Sequence, residues 1–131
     1  MNSQSFTKTF AVPASAIDER NHVNNLSYLQ WCLDSAQEHW NDKASPSLKQ
    51  QYVWYVLHHS IEYKAEAFAG EKLQLVTWVS SADGVRSERH YKIIRLADSK
   101  TIVEAKTLWC LLDASTSRPT PITEEIRNLF Q

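Results

Sequence analysis

Glycine is nearly absent from this chain, with two in 131 residues. Loops that wrap phosphates bring several backbone N–H groups close to the ligand and need glycines to do so, which excludes a Gly-rich nucleotide loop. Cysteine is equally scarce. Cys32 and Cys110 lie far apart and form no CxxC pair, so neither a disulfide framework nor a zinc site is signalled, and a reducing, cytoplasmic setting is expected. No apolar run approaches the roughly 18 residues of a membrane span, and the first fifteen residues hold no apolar targeting segment, so a soluble protein with no membrane partner is expected. The formal charge is -1. Without a basic excess, a nucleic-acid partner held by bulk electrostatics is excluded. Repeats, low-complexity tracts and Pro/Gly-rich linkers are also missing, and one domain over residues 1–131 is expected.

Core material is plentiful: 43% of the residues are hydrophobic and five are Trp. Residues 4–12 alternate loosely through Phe6 and Phe10 and predict a strand ended by Pro13. From Asn24 or Asn25, both good N-caps, Leu26, Leu29, Leu33, Ala36 and Trp40 recur at spacings of 3, 4, 3 and 4, which predicts a helix to about Trp40. The polar stretch NDKASPS breaks it. Four β-rich runs follow, separated by turn-forming residues at AG, SADG and ADSK. In the first run Tyr55, Leu57, His59, Ile61 and Tyr63 fall on one face, and in the second Leu73, Leu75 and Val79 do. ITEEIRNLF, with early acids and Ile122, Ile126, Leu129 and Phe130 on one side, predicts a closing helix. The fold class is therefore α+β, one long helix on a five-stranded antiparallel sheet plus a short C-terminal helix. One helix leaves sheet edge uncovered, so a homodimer or homotetramer is expected.

Residues 17–31, IDERNHVNNLSYLQW, crowd titratable and hydrogen-bonding groups onto the lip of the long helix. Two readings are open. Asp18 and Asn21 can bond the local backbone while Asn24 and Asn25 cap the helix, a solvated turn with no chemistry. Alternatively, free N–H groups at a helix start hold a developing oxyanion, and a carboxylate beside them activates water or attacks a carbonyl.

Asp18, four residues before H-V-N-N-x-x-Y, resembles the signature of hotdog-fold thioesterases of the 4-hydroxybenzoyl-CoA thioesterase-like group, especially the acyl-ACP thioesterase branch. IEYKAEAFAGEKLQLVTWV, VRSERHYKI and LLDASTSRPTPITEEIRNLF are similar to three further family segments, in the same order. The resemblance implies a hotdog fold, a long helix wrapped by an antiparallel sheet and dimerised by joining sheets. It implies hydrolysis of an acyl thioester, acyl-CoA or acyl-carrier protein, with no cofactor and no metal. In that reading Asp18 is nucleophile or general base, His22, Asn24 and Asn25 belong to the catalytic turn, and helix-start amides polarise the carbonyl. Tyr28 is placed among the substrate contacts, and Arg86, Ser87 and Arg89 near the phosphates of the carrier. The family commonly has Gly before that His, where this chain has Asn21. Rival readings are an enoyl-thioester hydratase or dehydratase, disfavoured by the Asp-to-His spacing, and a non-catalytic acyl-binding module.

Other chemistry-bearing residues fit packing better. Cys110 lies among apolar neighbours in a strand, where a thiol is inert. His58 and His59 point to opposite faces of one strand and cannot easily share a metal. Some of the five Trp are expected to line an acyl tunnel.

Overall fold

The structure, a computed structural model, describes residues 4–131. Strand β1 (Ser5–Ala11) leads through a short 3-10 turn to helix α1 (Asn25–Lys43) and the one-and-a-half-turn helix α2 (Pro46–Gln51). Strands β2 (Tyr52–Tyr63), β3 (Lys72–Asp83), β4 (Arg86–Arg95) and β5 (Lys100–Asp113) follow, and helix α3 (Glu124–Leu129) ends the order. The strands form one antiparallel sheet, β1-β3-β4-β5-β2, with β1 and β2 at its edges. This is the predicted α+β arrangement, a long helix against a five-stranded sheet. Its core has two lobes. Tyr28, Cys32 and Ala36 of α1 pack with Leu73, Leu75, Ile93 and Val103, while Trp40 packs with Leu111, Ile122, Ile126 and Phe130.

Three expectations need correction. The buried face of α1 is not the Leu stripe but Tyr28, Cys32, Ser35, Ala36, His39 and Trp40, and Leu26 is 73% exposed. Two polar groups on that face are satisfied there: the Tyr28 hydroxyl accepts from the Ala67 N–H at 3.0 Å, and Ser35 Oγ donates to the Cys32 carbonyl at 2.7 Å. Leu29 and Leu33 flank it, half-buried.

On β2 the pairing with β5 slips between Val56 and His58. The extra residue reverses the inward–outward phase, so Tyr52, Trp54 and Val56 turn inward first, then His59 and Ile61, while Tyr55 and Leu57 are exposed. The third correction is α2. Where a simple break was expected, Ser45 caps the helix by accepting from the Leu48 N–H, and Pro46 sits in its first turn. Among the described residues no helix is long and apolar enough to cross a membrane, and both cysteines are free.

The shifted helix face can be tested by stability. Leu26→Ala should change unfolding free energy by no more than about 0.5 kcal/mol. Cys32→Leu, which overfills the buried face, should cost about 1–3 kcal/mol in urea denaturation. Equal costs would restore the Leu stripe as the core face.

Candidate active site

The lip of α1 is a closed turn built on Asp18. Its Oδ1 accepts from the backbone N–H of Arg20 at 2.9 Å and of His22 at 3.2 Å. The Asp18 N–H donates to the His22 carbonyl at 2.8 Å, and the Asn21 N–H donates to the Asp18 carbonyl at 3.0 Å. Asn21 stands in the left-handed region, φ 66°. Asn tolerates that conformation better than other side-chain-bearing residues, so the turn closes at the position where the resembled family has Gly. A bridge between Ile17 and Val23, and the Asn24 N–H on the Ala16 carbonyl at 2.8 Å, clip the turn to the helix start.

Both local bonds of the carboxylate land on Oδ1; Oδ2 accepts from no described residue. Asn24 caps the helix, its side chain accepting from the Leu26 N–H at 2.8 Å. The Asn25 N–H, at the first helical position, meets no acceptor among the described residues. A half-buried carboxylate with an open oxygen thus lies on the turn that leads into an unsatisfied amide at the positive end of a 19-residue helix.

Asp18, His22, Asn24 and Asn25 are therefore together on one turn, joined by a residue that sequence reasoning missed. His22 Nδ1 is 2.6 Å from Glu66 Oε1 and 3.2 Å from Arg20 Nη2. A guanidinium only donates and a carboxylate only accepts, so one ring nitrogen cannot serve both. The shorter contact assigns the proton to Nδ1, donated to Glu66, with Arg20 lying alongside. Phe68 meets the His22 ring edge to face at 5.6 Å. Glu66 is 44 positions from His22, and no spacing pattern announces such a pair.

Tyr28 turns into the core instead of the open site, 2% exposed, and its hydroxyl holds the Ala67 amide next to Glu66. Burial raises its pKa, so it stays a neutral phenol. The expected trio Arg86, Ser87 and Arg89 is split by strand alternation. Arg86 is exposed, whereas Ser87 and Arg89 are 6% and 5% exposed and face the interior, away from any solvent-borne phosphate. Cys32 is buried in apolar surroundings that push its thiol up to about 12, which leaves it unreactive.

A family model described as the thioesterase-like superfamily matches residues 12–130. The chain belongs to that superfamily. With the family comes its class, the thioester hydrolases, as the resemblance implied. No functionally curated protein matches the chain in sequence. Among solved structures, this thioesterase-like chain is similar to a 1,4-dihydroxy-2-naphthoyl-CoA thioesterase from Synechocystis, 18% identical with a TM-score of 0.84 over 96% of this chain and 95% of that one. It is similar to the Staphylococcus aureus protein SAV2348, solved in complex with CoA, 18% identical with a TM-score of 0.85 over 98% and 83%. An acyl-ACP thioesterase from Bacteroides thetaiotaomicron is 21% identical with a TM-score of 0.80 over 90% of this chain and 49% of its own. At these identities the likeness is one of fold, the hotdog.

The interior of this thioesterase-like fold carries a second polar group of residues. Arg89 Nη1 donates to His39 Nδ1 at 2.9 Å and to Thr77 Oγ1 at 3.1 Å, and the guanidinium lies 5.4 Å from the Phe130 ring centre. Because arginine only donates, Nδ1 of His39 is the acceptor and Nε2 carries the hydrogen; that Nε2 is buried with no partner among the described residues. Burial lowers the His39 pKa from 6.5 to about 4, helped by Arg89 and Lys43 and opposed by Asp42.

This has a sign. Between pH 6.5 and about 4 the unfolded chain binds a proton at His39 that the folded chain refuses, so stability is whole above that window and falls as pH drops through it. The expected loss is on the order of 2–3 kcal/mol. His39→Gln keeps an acceptor for Arg89 and does not titrate. Urea midpoints should therefore fall less steeply from pH 7 to pH 4.5 in that variant than in the parent, and parallel slopes would show that His39 is not the group responsible.

Proposed function

We propose that the chain hydrolyses an acyl thioester, carried by CoA or by acyl-carrier protein, to a free acid and a thiol. The observation that carries this reading is the open Oδ2 of Asp18 on the turn leading to the unbonded Asn25 N–H, in a chain of the thioesterase-like superfamily. Asp18 attacks the thioester carbonyl or takes a proton from the attacking water. The Asn25 amide, with the helix dipole behind it, stabilises the oxyanion as the carbonyl carbon becomes tetrahedral. Collapse of that intermediate breaks the C–S bond, and the thiolate takes up a proton from water; where Asp18 itself attacked, a water then hydrolyses the acyl-aspartyl anhydride to the free acid and restores the carboxylate.

The remaining residues hold this geometry. Asn24 caps the helix and keeps its first turn intact, and Asn21 closes the turn that aims the carboxylate. His22, anchored by Glu66, fixes the outer side of the turn, and Tyr28 fixes Glu66 through Ala67. Each is a positioning residue. Arg86, exposed at the start of β4, is assigned to the phosphates of the carrier, where a guanidinium pairs with charge-assisted bonds.

The test is a panel of acyl-CoA and acyl-carrier thioesters with detection of the freed thiol. Asp18→Asn preserves size and the Oδ1 bonds but accepts no proton, so kcat should fall by about two orders of magnitude or more with KM little changed. His22→Ala should cost less. Near-normal turnover by Asp18→Asn on a substrate the parent hydrolyses would remove the mechanism. Addition of water across an enoyl thioester, seen without thiol release, would favour the hydratase alternative.

A homo-oligomer is part of the same proposal. The edge strand β2 presents Val53, Tyr55 and Leu57 to solvent, and Leu26, Tyr63 and Phe68 are exposed as well. An exposed apolar edge of this length is a template for pairing with a second copy. Light scattering should give a multiple of 15.1 kDa, and Tyr55→Arg with Leu57→Glu should shift the mass toward one chain. A parent of single-chain mass at micromolar concentration would overturn it.

A further inference from the structure

The lobe of the core around Trp40 is not fully packed. A cavity of about 110 Å³ lies there, walled by Trp40, Trp54 and Trp109, by Ile126 of α3 and by Phe130 just beyond it, with Ser87 and Arg89 on its sheet side. It is distant from Asp18. Its α1 wall begins at Ala36, eleven residues past the helix start, which is about 16 Å along the axis. Among the described lining residues Arg89 and Arg127 are cationic and none has an acidic side chain; Gln131 also lies on the lining, its backbone carboxylate within ion-pair distance of neither arginine.

Arg89 is the informative one. It is 5% exposed, and among the described residues no carboxylate pairs with it. Its two hydrogen bonds both run through Nη1 to neutral acceptors, His39 and Thr77. The guanidinium has five N–H donors, of which Nη1 carries two. Burial lowers its pKa only to about 10, so the charge persists at neutral pH. A buried charge is ordinarily paired, because the low-dielectric interior penalises it otherwise. Here the missing counter-charge coincides with an empty space that has aromatic walls.

We propose that this cavity binds a small amphipathic carboxylate, its apolar body between Trp40, Trp54 and Trp109 and its carboxylate on Arg89. The volume limits the ligand. An apolar cavity of about 150 Å³ admits one benzene ring, so at about 110 Å³ the upper limit for the body is a single aryl ring or a chain of about six carbons. The carboxylate is preferred to a neutral polar end because only an anion supplies the charge Arg89 lacks, and its two oxygens suit the guanidinium fork. An isolated inorganic anion leaves the three indole walls unused. The site stands independently of the hydrolytic reading, since neither Asp18 nor the helix start contributes to it.

The experiment titrates the parent protein with hexanoate and benzoate, with 1-hexanol and benzyl alcohol as neutral counterparts, and with inorganic phosphate. Tryptophan fluorescence reports occupancy, because three of the five Trp line the cavity, and calorimetry supplies the affinity. The acids should bind at least about tenfold more tightly than the matching alcohols, the value of a charge-assisted bond, and phosphate should not compete. Arg89→Gln should abolish the preference for the acid, Arg89→Lys should keep part of it, and Asp18→Asn should leave it unchanged. Equal binding of acid and alcohol by the parent overturns the proposal, as does no acid binding at millimolar concentration. So does a preference that survives Arg89→Gln or disappears in Asp18→Asn, which would put the acid at the lip of α1. If circular dichroism shows that the Arg89 variants do not fold, the comparison of acid with alcohol in the parent decides the matter alone.

Discussion

The burial of one face of α1 against a single antiparallel sheet is the constraint from which the other features follow. Five strands present one inner face, and among the described residues a 19-residue helix is the only long helix to cover it. Seating Tyr28, Cys32, Ala36 and Trp40 in that face sets where both ends of the helix lie. Its start must then emerge beside residues 66–68, because the Tyr28 hydroxyl is bonded to Ala67. The titratable lip is held by the core beneath it, and its own turn adds only short-range bonds around Asp18. Removing the packing would leave that turn with no fixed direction.

The same burial forces polar groups into the middle of the molecule. Ser35 and His39 on α1 and Thr77, Arg89 and Thr107 on the sheet are all nearly inaccessible, and His39 meets Arg89 across the two layers. Satisfying such groups fixes the register of helix on sheet, since a half-satisfied buried network costs more than an apolar one. Among the described residues the Nε2 of His39 meets no partner and the charge of Arg89 meets no carboxylate. The Phe130 ring and two neutral acceptors offset part of the cost. Incomplete satisfaction and unfilled space thus coincide in the lobe around Trp40.

Separation of the two regions along α1 has a physical rationale. A helix start offers unsatisfied N–H groups and positive potential, which suit a developing oxyanion. The far half of the helix offers neither, and the interior there supplies a fixed cation from the sheet instead. One helix thus runs from unsatisfied backbone amides at its beginning to a buried guanidinium beside its far half.

Much of this was legible in the residues. Alternation and turn chemistry located all five strands, the caps at Asn24 and Asn25 located α1, and the D-x-x-x-H-V-N-N run located the lip, because each depends on neighbours within a few positions. The errors share one origin. Leu26 looked like core and Tyr28 did not, because hydropathy cannot see that Ala67 would satisfy the phenol. Tyr55 and Ile61 looked like one face, because a bulge at Leu57 is set by pairing with β5 rather than by β2 alone. Arg86 and Arg89 looked like one patch until alternation on β4 sent them to opposite faces. Glu66 beside His22, and Arg89 beside His39 and an empty cavity, were decided by tertiary structure alone, because contacts across 44 and 50 positions arise only when separate elements pack.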